Sequence, residues 1–205
     1  MCRRDRTALP SLFVLVLLLA APLTANAVPA LERLVDGMGN LLGARNVIVN
    51  GVRYDVEFVD GKCADVYGIC DTSAFAFQSE PSASLASQAL LSAVLLNGAE
   101  GMFDTTPALT RGCGGVNVDC AAFTPYATAG NPNIVFARGA ANQPRISPDF
   151  VSSYSRREDL SDLALVDEQT WVRWTFAKTV SEPDSIALLV VGLFSAGYAT
   201  RRRAQ

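Results

Sequence analysis

The alternation of apolar and polar positions is clearest between Val52 and Val59. There Val52, Tyr54, Val56 and Phe58 interleave with Arg53, Asp55 and Glu57. A period of two with one apolar face predicts a half-buried strand. Asn46–Val49 lies just upstream, and Asn50-Gly51 between the two segments is the strongest two-residue hairpin signal, because both residues tolerate positive φ. Thr170–Ala177 alternates in the same way, with Val172, Trp174 and Phe176 on one face and Trp171, Arg173 and Thr175 on the other. An exposed Trp171 would offer a flat ring to a sugar or a partner, whereas a packed one would be core.

The pattern changes to a helical one over Ser82–Leu96. Ser79 stands where a cap is expected and Pro81 where a first-turn proline is tolerated, and Asn97-Gly98 reads as the stop signal. Leu85, Gln88, Ala89, Ser92 and Leu96 fall near one stripe, widened by Leu90, Leu91, Val94 and Leu95. A short helix through Leu31–Val35 is expected upstream of the hairpin. From Asp104 to Ser155 glycine, proline, threonine and alanine dominate, which predicts a loop-rich region with one short strand at Asn133–Arg138. Arg156–Glu168 alternates acids with Leu160, Leu163 and Leu165 and reads as a solvated helix or turn. Together these elements predict an α+β domain, a small antiparallel sheet whose apolar face is covered by one main helix.

Two further apolar runs lie at the ends of the chain. Leu12–Ala21 follows Arg3, Arg4 and Arg6 and precedes Ala25-Asn26-Ala27, the arrangement of a secretory signal peptide cleaved between Ala27 and Val28. Residues 185–200 carry no charged side chain and are followed by Arg201-Arg202-Arg203. Hydrocarbon rejects charge and arginines favour the cytoplasmic side, so this reads as a transmembrane helix with its basic tail inside. At roughly 24 Å it is short for a bilayer core of about 30 Å. The expected organisation is a signal peptide at 1–27, an exported domain at 28–180 and a C-terminal signal at 181–205.

The stretch from Val180 through Ser181, Glu182 and Pro183 to the three arginines resembles a PEP-CTERM sorting signal, which combines a short Pro-Glu-Pro motif, a hydrophobic helix and a basic tail. Glu182 and Pro183 match the second and third motif positions, and Ser181 replaces the first proline. The resemblance covers about the last 25 residues. It implies export, then recognition and cleavage by an exosortase in a bacterium that makes exopolysaccharide. The implied partners are the export machinery, the exosortase, the membrane and exopolysaccharide.

Composition adds exclusions. Between residues 28 and 181 there are 11 basic and 17 acidic side chains, so the exported part is mildly acidic and has no electrostatic attraction to nucleic acid. Cys63, Cys70, Cys113 and Cys120 form two pairs of identical spacing. Two local disulfides suit an oxidising compartment, with cross-linked pairing or a metal site as the alternatives. The chain has no histidine, which removes Ser-His-Asp and Cys-His catalysis, histidine zinc sites and histidine-ligated haem. No nucleotide-binding loop or nucleophile elbow is present, and no cofactor or metal is implied. Asp55 and Glu57 share a strand face, the placement a glycosidase pair would need, although such pairs usually face solvent. The expectation is an exported, non-enzymatic protein of the cell surface or polysaccharide matrix. The alternatives are a permanently anchored periplasmic protein or a secreted carboxylate-based hydrolase.

Overall fold

A computed structural model describes residues 29–115, 119–130, 134–144, 148–157 and 162–178. The strands are β1 (Glu32–Val35), β2 (Leu41–Val49), β3 (Val52–Val59), β4 (Asn97–Gly98), β5 (Gly101–Met102), β6 (Cys120–Ala129), β7 (Ile134–Asn142), β8 (Phe150–Arg157) and β9 (Gln169–Phe176). The helices are α1 (Cys63–Tyr67) and α2 (Glu80–Ala89), the latter continued by a π turn over Leu90–Val94. Seven strands make one sheet in the order β1-β2-β3-β9-β6-β7-β8, and β4 pairs with β5 in a small separate hairpin. The fold is therefore a mostly-sheet α+β arrangement with one main helix. The sheet is larger than the sequence suggests, and it is mixed, because β6 and β9 run parallel.

The predicted hairpin is β2–β3. Asn50 and Gly51 both have positive φ, which allows the tight turn to match the strand twist. The ladder is interrupted between Ala44 and Val47, where Asn46 also has positive φ and its N–H donates to Asp55 Oδ1 at 3.1 Å. At Gly43 the strands approach so closely that a Cβ would lie 2.1 Å from Val56 O. The Leu31–Val35 helix is not formed; Glu32–Val35 is the edge strand β1, paired antiparallel with β2.

Tyr54, Val56, Phe58, Val172 and Trp174 point to one face of the sheet, where α2 covers them together with Phe77 and Phe103. Ser79 caps this helix through its side chain, which accepts from the Ser82 N–H, and Pro81 lies in the first turn. The helix seats itself by Ala83, Ala86, Ser87, Leu90, Leu91, Val94 and Leu95, while Leu85 and Leu96 are exposed. The buried face is thus rotated away from the Leu85–Leu96 stripe. Small residues win the contact because they let the helix axis lie close to Ala122 and Ala140 of the sheet. The helix ends at Val94 rather than at Asn97-Gly98, which instead form β4.

The opposite face is covered by α1 and the segment after it. Cys63, Val66, Cys70, Phe75 and Leu163 pack on Phe123, Val135, Ala137 and Trp171. Trp171 is completely buried, and its Nε1 donates to Gly61 O at 3.1 Å. Trp174 is also buried and donates to Thr124 Oγ1 at 3.0 Å. Both tryptophans are core, so the exposed sugar-stacking Trp171 is ruled out. Between Asp104 and Ser155 the short strand expected at Asn133–Arg138 falls in β7 from Ile134 onward, while β6 and nearly all of β8 stand where loops were expected, so that almost half the sheet comes from this stretch. Between Arg156 and Glu168 the described helical structure is one 3₁₀ turn, Leu163–Leu165.

Candidate functional site

The polar part of the second face is built where β3 and β9 emerge from under α1. Register places Glu57 opposite Arg173, and the two form an ion pair. Arg111 reaches the same carboxylate from the 107–112 segment, with Nη1 3.7 Å from Glu57 Oε1. That segment is fastened to the sheet by the Arg111 N–H, which donates to Leu41 O at 3.0 Å. Gly112, at φ +87°, then passes so close to Asp60 and Thr170 that a Cβ would meet their side chains. Asp60 is held above the ordinary carboxylate range by burial, opposed by Arg111 and reinforced by Asp162.

Two clefts flank this row of charges. One, of about 440 Å³, is lined by Asp65, Tyr67, Gly68, Arg173 and Thr175 among others. Tyr67 closes its floor: its hydroxyl donates to Val172 O at 3.1 Å, and its ring meets Phe75 and Trp171 edge-on. Burial raises the Tyr67 phenol, so it remains a neutral hydrogen-bond donor. The other cleft, of about 290 Å³, is lined by Asp36, Asn40, Thr110, Arg111 and Gly112 among others. Asp36 is committed to its own turn: it accepts from the N–H groups of Met38 and Asn40 and from Asn40 Nδ2, and the Asn40 bonds chiefly hold its pKa below the usual carboxylate value.

The Asp55–Glu57 pair stands on one strand face as expected, yet each carboxylate is engaged. Asp55 braces the β2 irregularity through Asn46, and Glu57 bridges two guanidinium groups. These contacts fix where Asp55 and Glu57 stand on the sheet. Sequence reading missed Arg111 and Tyr67, because their partners are distant in the chain and no local pattern marks them.

The cysteines pair as two local disulfides, Cys63–Cys70 and Cys113–Cys120, with Cα separations of 5.4 and 5.6 Å. The first staples α1 over Trp171, and the second ties the 107–113 segment to the start of β6. Among the described residues, no three His, Cys, Asp or Glu side chains come together as a metal-binding group. No helix among them is long and apolar enough to cross a membrane. Ala27, Val28, Ser181, Glu182, Pro183, Arg201, Arg202, Arg203 and the 185–200 run lie outside the described residues. No family model, curated protein or solved structure matches the chain.

Proposed function

We propose that this chain is an exported, non-enzymatic protein of the cell surface or extracellular polysaccharide matrix, delivered by a signal peptide and then sorted through its C-terminal signal by an exosortase. The observation that carries this reading is the pair of local disulfides. Such bonds persist in oxidising compartments and are reduced in the cytosol. They support export, and export is the condition under which residues 181–205 would act as a sorting signal.

The test is the intact mass of the mature product from hosts with and without an exosortase. In the exosortase host the reading expects loss of residues 1–27 and of the segment after Pro183, with the mass reduced by the four hydrogens lost in forming two disulfides. Replacing Arg201, Arg202 and Arg203 by asparagine should impair retention and processing. A mature protein that keeps residues 185–205 in the exosortase host would favour the permanently anchored alternative. Processing unchanged in the arginine variant would sink the sorting role.

A further inference from the structure

We propose that β8 is a docking edge for a second copy of this chain, the two strands pairing antiparallel about a two-fold axis at Ser153. In the sheet order β8 stands last, so among the described residues no strand lies along its outer side. Alternate residues of an antiparallel strand turn their N–H and C=O groups away from the neighbour they pair with, which leaves a row of donors and acceptors on that side. Sheet proteins usually blunt such a row with a bulge, a proline, charges or a very short strand. The opposite edge is blunted in this way: β1 has four residues and a register shift, and its Arg33 is drawn onto the carbonyls of Ala93 and Val94. β8 has eight residues, matches β7 residue for residue without a shift, contains no proline and carries charge only at Arg156 and Arg157.

The strand is complementary to itself. Asp149 precedes it and two arginines end it, so an antiparallel copy brings opposite charges together at both ends, whereas a parallel copy would set arginine beside arginine. A two-fold axis perpendicular to the sheet keeps each face on its own side. Successive side chains alternate between faces, so the pairing must centre on a residue and join positions of like parity. Centred on Ser153, it sets Ser152 opposite Tyr154, Val151 opposite Ser155, Phe150 opposite Arg156 and Asp149 opposite residue 157. Every inner pair is neutral, and Ser153 and Ser155 are short, exposed side chains that suit the approach of a second backbone. Phe150, 49% exposed, is offered the Arg156 guanidinium of the other copy as a cation–π partner. Centring on Tyr154 would instead face Arg156 with Ser152 and carry both arginines away from Asp149. The contact uses the same patch on both copies, so it closes after two chains and leaves only the blunted β1 edges outside.

The experiment uses the purified chain with its disulfides intact. Molar mass is followed by light scattering from about 1 μM to 1 mM, the range expected of a contact made through one strand edge. Ser153→Cys and Ser155→Cys are compared in a glutathione redox buffer, with cross-links located by peptide mass. Cα atoms facing each other across a ladder lie about 4.5–5.5 Å apart, within disulfide reach, whereas the two copies of position 155 would lie more than about 13 Å apart. The expected result is a concentration-dependent dimer and a cross-link joining position 153 of two copies, with about tenfold less cross-linking through position 155. Arg156→Glu sets a carboxylate at the end that meets Asp149, and the two-fold axis repeats the change, so the dimer should weaken by about tenfold or more. Should that variant fail to fold, the Ser153→Cys cross-link decides alone. A monomer across the whole range, a dimer that Arg156→Glu leaves unchanged, or equal cross-linking through positions 153 and 155 would overturn the pairing.

Discussion

Arg33 shows how one residue joins an edge strand to the main helix. From β1 its Nε and Nη2 donate to Val94 O and Ala93 O at 2.7 and 2.8 Å, and Nη1 meets Glu100 at 3.2 Å. A helix leaves its last carbonyls unpaired and carries partial negative charge there, so a guanidinium with fixed donors suits the position. Arg33→Ala should cost about 2 kcal/mol, the scale of charge-assisted hydrogen bonds lost at a largely buried site, read as a lowered denaturant midpoint. Arg33→Lys should recover only part of it, since an ammonium cannot span both carbonyls and Glu100. Asp60 gives a prediction of the opposite sign. Its pKa is raised by burial, so the folded state binds its proton more tightly than the unfolded chain does, and folding is penalised as pH rises through the interval from the ordinary value to the raised one. Asp60→Asn should therefore raise Tm at pH 7, with a gain in stability below about 1 kcal/mol once solvent screening is allowed for, and the gain should vanish by about pH 3. Asp36 and Asp71 act in the other direction. Hydrogen bonds lower both, so their contribution is present above the ordinary carboxylate range and is lost as pH falls through their lowered values.

Among the elements, α1 depends most on a covalent bond. It is five residues long, too short to be stable alone, and it lies over Trp171 between Cys63 and Cys70. Closing a loop of this size should contribute about 2.5 kcal/mol through the unfolded state. Cys63→Ser with Cys70→Ser should lower stability by about that amount and shift tryptophan emission to the red, as α1 lifts from Trp171 while Trp174 stays under α2. An unshifted spectrum would mean that packing alone holds α1 in place. The elements also differ in how readable they are. β3 could be recognised because one face is buried and the other carries Arg53, Asp55 and Glu57, so burial and sequence alternate together. β6 and β7 lie at the centre of the covered region, where both faces are buried along much of their length. Burial on two faces erases the alternation. Close approach also selects alanine and glycine there: at Gly139 a Cβ would meet the Phe123 ring at 2.7 Å. Small residues in that stretch resemble loop composition although they mark the tightest packing. The carboxylate of the candidate site was equally hard to read, because Glu57 meets Arg111 only once the fold is known.

At the scale of the whole molecule, the decisive feature is where the last strand goes. β9 is the last described element of the chain, yet it lies at the middle of the sheet, antiparallel to β3 on one side and parallel to β6 on the other. It contributes Val172 and Trp174 to one core and Trp171 to the other. Without β9, the β1–β3 half and the β6–β8 half have no ladder between them, and both cores lose a central aromatic residue. A chain ending at Glu168 should therefore show no cooperative thermal transition and should expose its apolar surface to a hydrophobic dye. A chain ending at Lys178 retains every described strand, and its Tm should lie within a few degrees of the full chain's, a difference below about 1 kcal/mol. A cooperative transition in the shorter chain would show that the two halves fold without β9. The same topology bears on the proposed export and sorting. The body can close only after the chain through Phe176 has been released, and just four residues, Ala177 to Val180, separate that strand from Ser181. Even fully extended, four residues reach only about 14 Å. Any enzyme acting at Glu182-Pro183 would therefore work against the end of a central strand. Inserting a flexible Gly-Ser spacer after Lys178 should speed cleavage without changing Tm, and a rate indifferent to the spacer would show that the folded body does not limit access.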